Sequence, residues 1–196
     1  MKIMAAAVGT IFVVIFTIFE PQTSEKNKNT LDACITLLSG FPRDVPESPT
    51  PQYPTDTTDV TLEYFASGCY GACPAFTLRI SNRTAVFEGH DYVRAKGKRT
   101  AKLSPQEFET LLHAWYDGKF YAMRDDYCTA RCPDGVVHIV TDIADSSITL
   151  TTPTFKKRVY ECFFTMNNQP QTPKPPEQYF QLSQQLLALA KSHRWL

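Results

Sequence analysis

The sequence predicts an α+β fold: a mostly antiparallel sheet of about five to seven strands, one amphipathic helix after the first meander, and a C-terminal helix packed on it. Three observations support this. From Val60 onward, short runs alternate apolar and polar residues between clusters of Gly, Asn and Ser. Ser104-Pro105-Gln106-Glu107 opens a stretch with apolar side chains at helical spacing. A second such stretch runs from about Glu177 to Ser192, close to the chain's end.

Each element follows from its residues. Val60, Leu62 and Tyr64 alternate with Thr61, Glu63 and Phe65, a strand pattern. Cys69-Tyr70-Gly71-Ala72-Cys73-Pro74 then forms a tight turn that a disulfide can close. Gly71 accepts positive φ and Pro74 pushes Cys73 toward extended backbone. Closing so short a loop contributes only about 2 kcal/mol, so its main effect is to fix the angle at which the next strand leaves. In that strand Phe76, Leu78 and Ile80 face one way and Thr77 and Arg79 the other. Ser81-Asn82-Arg83 turns the chain, Thr84–Glu88 returns as a hairpin partner, and Tyr92–Lys102 continues as a polar strand. In the first helix Ser104 is the N-cap, Pro105 the first helical residue and Glu107 completes a capping box. Phe108, Leu111, Leu112 and Trp115 form its apolar face, Gly118 ends it, and Phe120, Tyr121 and Met123 pack the return. Cys128 to Gly135 reads as a second cysteine-closed loop. Val136–Ile143 and Ser147–Thr152 read as a hairpin about Ala144-Asp145-Ser146, and Lys157–Phe164 as one further strand. A proline-rich loop, Pro170 to Pro176, leads into the last helix, whose Tyr179, Leu182, Leu186, Leu189 and Ala190 face the core; Trp195 caps the apolar seam.

Three regions organise the chain: residues 1–19, 20–59 and 60–196. Ile3–Phe19 is apolar behind Met1-Lys2 and reads as a signal peptide or signal anchor. As a helix it would reach about 25 Å, close to the ~30 Å hydrocarbon core. Residues 20–59 are polar and then carry Pro42, Pro46, Pro49, Pro51 and Pro54, a semi-extended spacer in which Ile35, Leu37 and Leu38 form one docked helical turn. In the 196-residue chain 43% of residues are apolar, enough for a core, and Lys plus Arg equals Asp plus Glu at 20 each. No global field therefore favours nucleic acid. The six cysteines of an exported chain are read as disulfides first. Spacing pairs Cys69 with Cys73 and Cys128 with Cys132, leaving Cys34 with Cys162, a bridge worth about 5 kcal/mol on chain entropy.

The Cys-aromatic-Gly-x-Cys-Pro run at 69–74 is followed by an alternating strand and the Phe87-Glu88-Gly89 return. Next come the Ser-Pro-capped helix with Leu111-Leu112, then Phe120, Arg124-Asp125-Asp126-Tyr127 and the terminal Arg194-Trp195. Together these resemble the DUF6438 family of exported bacterial domains, over roughly residues 60–196. The resemblance implies an envelope location and a mixed α/β domain, with no reaction, cofactor or ligand to transfer. Against the family pattern, the Cys128/Cys132 pair and the Cys34 extension are additions.

Several chemistries can be weighed on these residues. Reactive dithiols usually have two intervening residues at a helix N-terminus; here there are three, and Cys73 precedes Pro74 and a strand, which reads as a structural disulfide. Two CxxxC pairs could offer zinc four thiolates, but an oxidising compartment removes them, so no metal or cofactor is expected. His90, His113, His138 and His193 sit in no nucleophile motif, and no catalytic residue is assigned. Asp125, Asp126 and Tyr127 read as solvated or capping groups before they read as acid and base. Arg94, Lys96, Lys98 and Lys102 would line one strand face with Arg99 opposite, either binding a polyanion or guarding an exposed edge. The expected ligand-facing residues are Tyr70, Gly71, Asp126, Tyr127, Arg94, Lys96 and Lys98. The expectation is a periplasmic or cell-envelope domain with a non-enzymatic binding or scaffold role, held to the inner membrane if the leader is uncleaved. Its partner would be an envelope protein or a polyanionic ligand. The rival is a thiol–disulfide redox or hydrolytic enzyme.

Overall fold

Strand β1 (Thr61–Ala66) is the centre of the architecture, because both of its edges are paired. On one side it pairs with β2 (Phe76–Ser81), which pairs in turn with β3 (Thr84–Gly89) and β4 (Gly97–Lys102). On the other side lie β7 (Ser146–Thr151) and β8 (Lys156–Glu161). The result is a six-stranded antiparallel sheet in the order β4-β3-β2-β1-β7-β8. Helix α1 (Pro105–Asp117) and the C-terminal helix α2 (Glu177–Ser192) cover one face, the α+β arrangement that the sequence predicts. The computed structural model describes residues 51–131, 137–139, 144–162, 165–166, 169–170 and 173–196. The leader 1–19, the spacer up to residue 50 with Cys34, and Cys132 lie outside the described residues.

The period-two pattern decides which side chains meet the helices. Leu62 and Tyr64 of β1, Phe76, Leu78 and Ile80 of β2, Ala85 and Phe87 of β3, and Ile148 and Leu150 of β7 share a face and are buried. Phe108, Leu112 and Trp115 of α1 and Tyr179, Leu182, Leu186 and Ala190 of α2 close the layer over them. Trp195 ends the seam, stacked 5.4 Å from Phe87. Glu107 accepts a hydrogen bond from the Ser104 backbone N–H at 2.7 Å and Ser104 Oγ accepts from the Glu107 N–H at 3.2 Å, so the capping box is complete. Gly118 ends α1 without left-handed backbone, at φ −72°. It is Lys119 that takes φ 50°, while a Cβ on Gly118 would stand 2.9 Å from the Ala114 carbonyl oxygen.

Three expectations are corrected. First, β7 forms no hairpin with the preceding segment. β6 (Val137–Ile139) pairs with β5 (Thr129–Arg131) in a separate ribbon, while β7 inserts between β1 and β8. Ser147 and Thr149 are buried opposite Ile148 and Leu150, so β7 is covered on both faces. Part of that cover is Arg158, which donates to Ser147 Oγ at 3.0 Å and lies over the rings of Tyr160 and Phe65. Second, the polar strand begins only at Gly97. Tyr92 at φ 51° and Gly97 at φ 74° break the extended backbone, and Ala95 N–H donates to the Trp195 carbonyl instead. Arg94 and Lys96 therefore belong to a loop, while Lys98 and Lys102 stay on one face with Arg99 opposite.

Third, Cys128 bonds Cys162, which overturns both the Cys128–Cys132 and the Cys34–Cys162 pairings. The cause is local. Tyr127 N–H donates to the Tyr160 carbonyl at 3.0 Å and Tyr160 N–H to the Asp125 carbonyl at 2.9 Å, so this segment runs along the β8 edge and delivers Cys128 to Cys162. Cys69–Cys73 forms as expected, with Cα atoms 5.5 Å apart. The end of the proline-rich spacer also touches the domain. The Tyr53 hydroxyl donates to Glu109, and its ring stacks 4.4 Å from that of His113 on α1.

Candidate binding pocket at the loop end of the sheet

Antiparallel register gathers several chain segments at one end of the sheet. Ala66 faces both Phe76 and Ser146, Phe76 faces Gly89, and Ser146 faces Glu161. The cysteine loop, the β3–β4 loop and the approach to β7 therefore converge there. Gly89 permits the closeness, since a Cβ on it would lie 2.1 Å from the Ala95 carbonyl oxygen. Between these loops and the last turns of α2 lies a pocket of about 500 Å³. Cys73, Pro74 and Tyr92 line it from the loops, and Leu187 and Lys191 from α2.

Its floor is a hydrogen-bonded group of side chains. Ser146 Oγ donates to Glu161 Oε2 at 3.0 Å and stands 3.0 Å from the Tyr179 hydroxyl. With its one proton given to the carboxylate, the serine is acceptor and Tyr179 donor. Burial pushes the phenols of Tyr64 and Tyr179 above their ordinary range; hydrogen bonding to Ser146 pulls each partly back, and the charge of Glu161 raises them again. Both stay protonated at neutral pH. The floor therefore offers fixed hydrogen bonds, and its phenols are poor proton donors for chemistry.

None of the residues that the sequence singles out as ligand-facing lines this pocket. Tyr70, on the cysteine loop, is 97% exposed, with Gly71 beside it, and Tyr92 is 62% exposed. Ser146, Glu161 and Tyr64 occupy core-facing phases near strand ends, where a polar side chain among apolar neighbours is the sole sequence signal. Asp126 lies elsewhere, in a cleft of about 820 Å³ along β8 with Tyr121, Phe155 and Lys156. Its carboxylate accepts from the N–H groups of Cys128 at 2.6 Å and Thr129 at 3.1 Å, the capping role weighed for it. Tyr127 is buried in the core, 6% exposed, with its hydroxyl accepting from the Arg124 N–H, and it lines neither the pocket nor the cleft. Burial there pushes its phenol up as well. Arg94, Lys96 and Lys98 are exposed outside the pocket, Lys96 within 3.2 Å of Asp91. His113 stacks on Tyr53 and His193 on Trp195.

Among the described residues no group of three or more His, Cys, Asp or Glu is placed to hold a metal ion. No described helix is long and apolar enough to cross a membrane. No curated protein matches the chain. Residues 60–173 match a family described as a domain of unknown function, DUF6438. That span ends before α2, although Tyr179 and Leu186 of α2 are buried in the same core. With more than half of the sequence matched, the chain belongs to the DUF6438 family.

Proposed function

We propose that this is an exported cell-envelope domain that binds rather than transforms its ligand, receiving a side chain of an envelope protein in the loop-end pocket. The observation that carries the reading is the pocket's construction: a preformed, mutually hydrogen-bonded floor at Ser146, framed by loops that a disulfide braces. Such a site holds its donors and acceptors in place before the ligand arrives, which lowers the ordering cost of binding. Export rests on the apolar run Ile3–Phe19 as a signal peptide or anchor, and two disulfides fit an oxidising compartment.

The test is a titration of the isotope-labelled protein with blocked single amino acids of the N-acetyl, C-amide type, followed by amide NMR. The expected result is that one side-chain class shifts the amides of Ser67, Cys73, Tyr92 and Ser146 together, and that Ser146→Ala abolishes the shift. If no member of the series moves those amides up to its solubility limit, the pocket is not a side-chain receptor. A second reading, polyanion binding, is favoured by Lys98 and Lys102, which stand exposed on the same face of β4.

A further inference from the structure

The two disulfides among the described residues differ in setting, although Cys69, Cys73 and Cys128 are all half-buried. Cys162 is buried, 6% exposed, where its bridge ties β8 to the segment that covers it. The Cys69–Cys73 ring stands on a loop tip: Gly68, Tyr70, Gly71 and Ala72 are all exposed, and Cys73 also borders the pocket. Hydrogen bonds that do not involve the ring hold the chain on both sides of it. Ser67 N–H donates to the Asp145 carbonyl at 3.0 Å and Asp145 N–H donates to Ser67 Oγ at 3.2 Å. Beyond the ring, Ala75 N–H donates to the Asp91 carbonyl and His90 N–H to the Ala75 carbonyl, each at 2.9 Å. The β1–β2 register continues from there, so the hairpin does not depend on the bridge.

We infer that Cys69–Cys73 is a site of reversible thiol–disulfide exchange that sets the conformation of the Tyr70 loop. Both cysteines are half-buried, but the residues around them on the loop tip are exposed, which leaves an external thiolate a path to the sulfurs, and the more exposed bridges are the more readily reduced ones. The co-reactant is a dithiol reductant. Its first thiolate attacks one sulfur, forming a mixed disulfide and releasing the other cysteine as a thiolate that takes up a proton. Its second thiol then attacks the mixed disulfide, freeing the second cysteine and leaving the reductant oxidised by two electrons. Because Ser67 and Ala75 remain fixed, the two thiols stay close and the bridge can re-form when the reductant is withdrawn.

The experiment uses the full protein in dithiothreitol buffers of graded reducing strength, trapped with N-ethylmaleimide and mapped by mass spectrometry. Cys69 and Cys73 should become half-alkylated at a dithiothreitol concentration at least tenfold below the one that opens Cys128–Cys162. Near-UV circular dichroism should stay native at that point, with amide shifts confined to the loop and its rim, and dialysis into oxidised glutathione should restore the bridge. Simultaneous opening of both bridges, loss of native circular dichroism when Cys69–Cys73 opens, or failure to re-form would each overturn the inference. Because the readout is alkylation and loop conformation, its result is separate from that of the ligand titration.

Discussion

The two edges of the sheet expose the same kind of backbone and are finished in different ways. At β8 the chain returns to cover itself. The segment from Asp125 to Tyr127 pairs with Tyr160, Lys157 Nζ meets Asp125 Oδ1 at 2.6 Å, and Cys128–Cys162 locks the end. At β4 nothing among the described residues pairs with the outer side of the strand, which carries exposed Lys98, Arg99 and Lys102. An unpaired strand is a template for association, and lysine charge is one way to block it. The covered edge is held by covalent and backbone bonds, the open one by solvation and charge. They should therefore fail under different perturbations.

The largest effect is expected at the covered edge. Cys128 and Cys162 are 34 residues apart, and removing a bridge that closes such a loop costs about 3–4 kcal/mol on chain entropy. The double variant Cys128→Ser/Cys162→Ser should lose that much in urea unfolding. The amides of Tyr127 and Tyr160 should gain hydrogen-exchange protection last on refolding. The Cys69–Cys73 bridge spans a sequence separation of only 4, so Cys69→Ser/Cys73→Ser should lose about 2 kcal/mol or less. Equal losses would mean that the edge is held by its hydrogen bonds and core contacts, with the bridge idle.

How much of this was readable in the residues follows from how local each signal is. Helix α1 is legible because Ser104, Pro105 and Glu107 lie within one turn and their hydrogen bonds never leave it. The Cys69–Cys73 ring is legible for the same reason. The Cys128–Cys162 bridge is not, since it depends on the chain returning to Tyr160, a contact that spacing between cysteines cannot report. The floor of the pocket is similarly hidden. Ser146 and Glu161 meet only because β7 and β8 pair in that register, whereas the sequence pattern points to a hairpin of β7 with the segment before it. Tyr127 shows the reverse error: its neighbours Asp125 and Asp126 suggest solvent, yet alternation along the β8 edge turns it inward.

A smaller effect on stability is expected at the open edge. Lys98→Ala/Lys102→Ala removes exposed charges, one of them bonded to Thr84 Oγ1 at 2.7 Å, and should change unfolding free energy by no more than about 0.5 kcal/mol. Its effect should appear in association: sedimentation velocity of the variant should show concentration-dependent dimers where the parent stays monomeric. Heparin separates the two readings of these lysines. Salt-sensitive retention by the parent that the variant loses supports a polyanion site, and no retention by the parent leaves the edge-guarding role alone.

The smallest expected effect concerns how β4 is tied off at its end. Leu103 N–H donates to the Arg83 carbonyl at 2.8 Å, and the next residue, Ser104, is fixed by the capping box of α1. The hydrogen bond from the Ser104 backbone N–H holds the Glu107 carboxyl below its ordinary value of 4.5, with the Ser104 hydroxyl adding to it. A carboxyl whose pKa is depressed by folding contributes its stability above the ordinary value and loses it as pH falls through the depressed one. Hydrogen exchange at the end of β4 and the first turn of α1 should therefore quicken as pH is lowered below about 4.5, after correction for the intrinsic rate. Glu107→Gln keeps a side-chain acceptor without the titration and should flatten that dependence. If β4 and the first turn of α1 hold their protection through this range, the open edge draws its order from β3 alone.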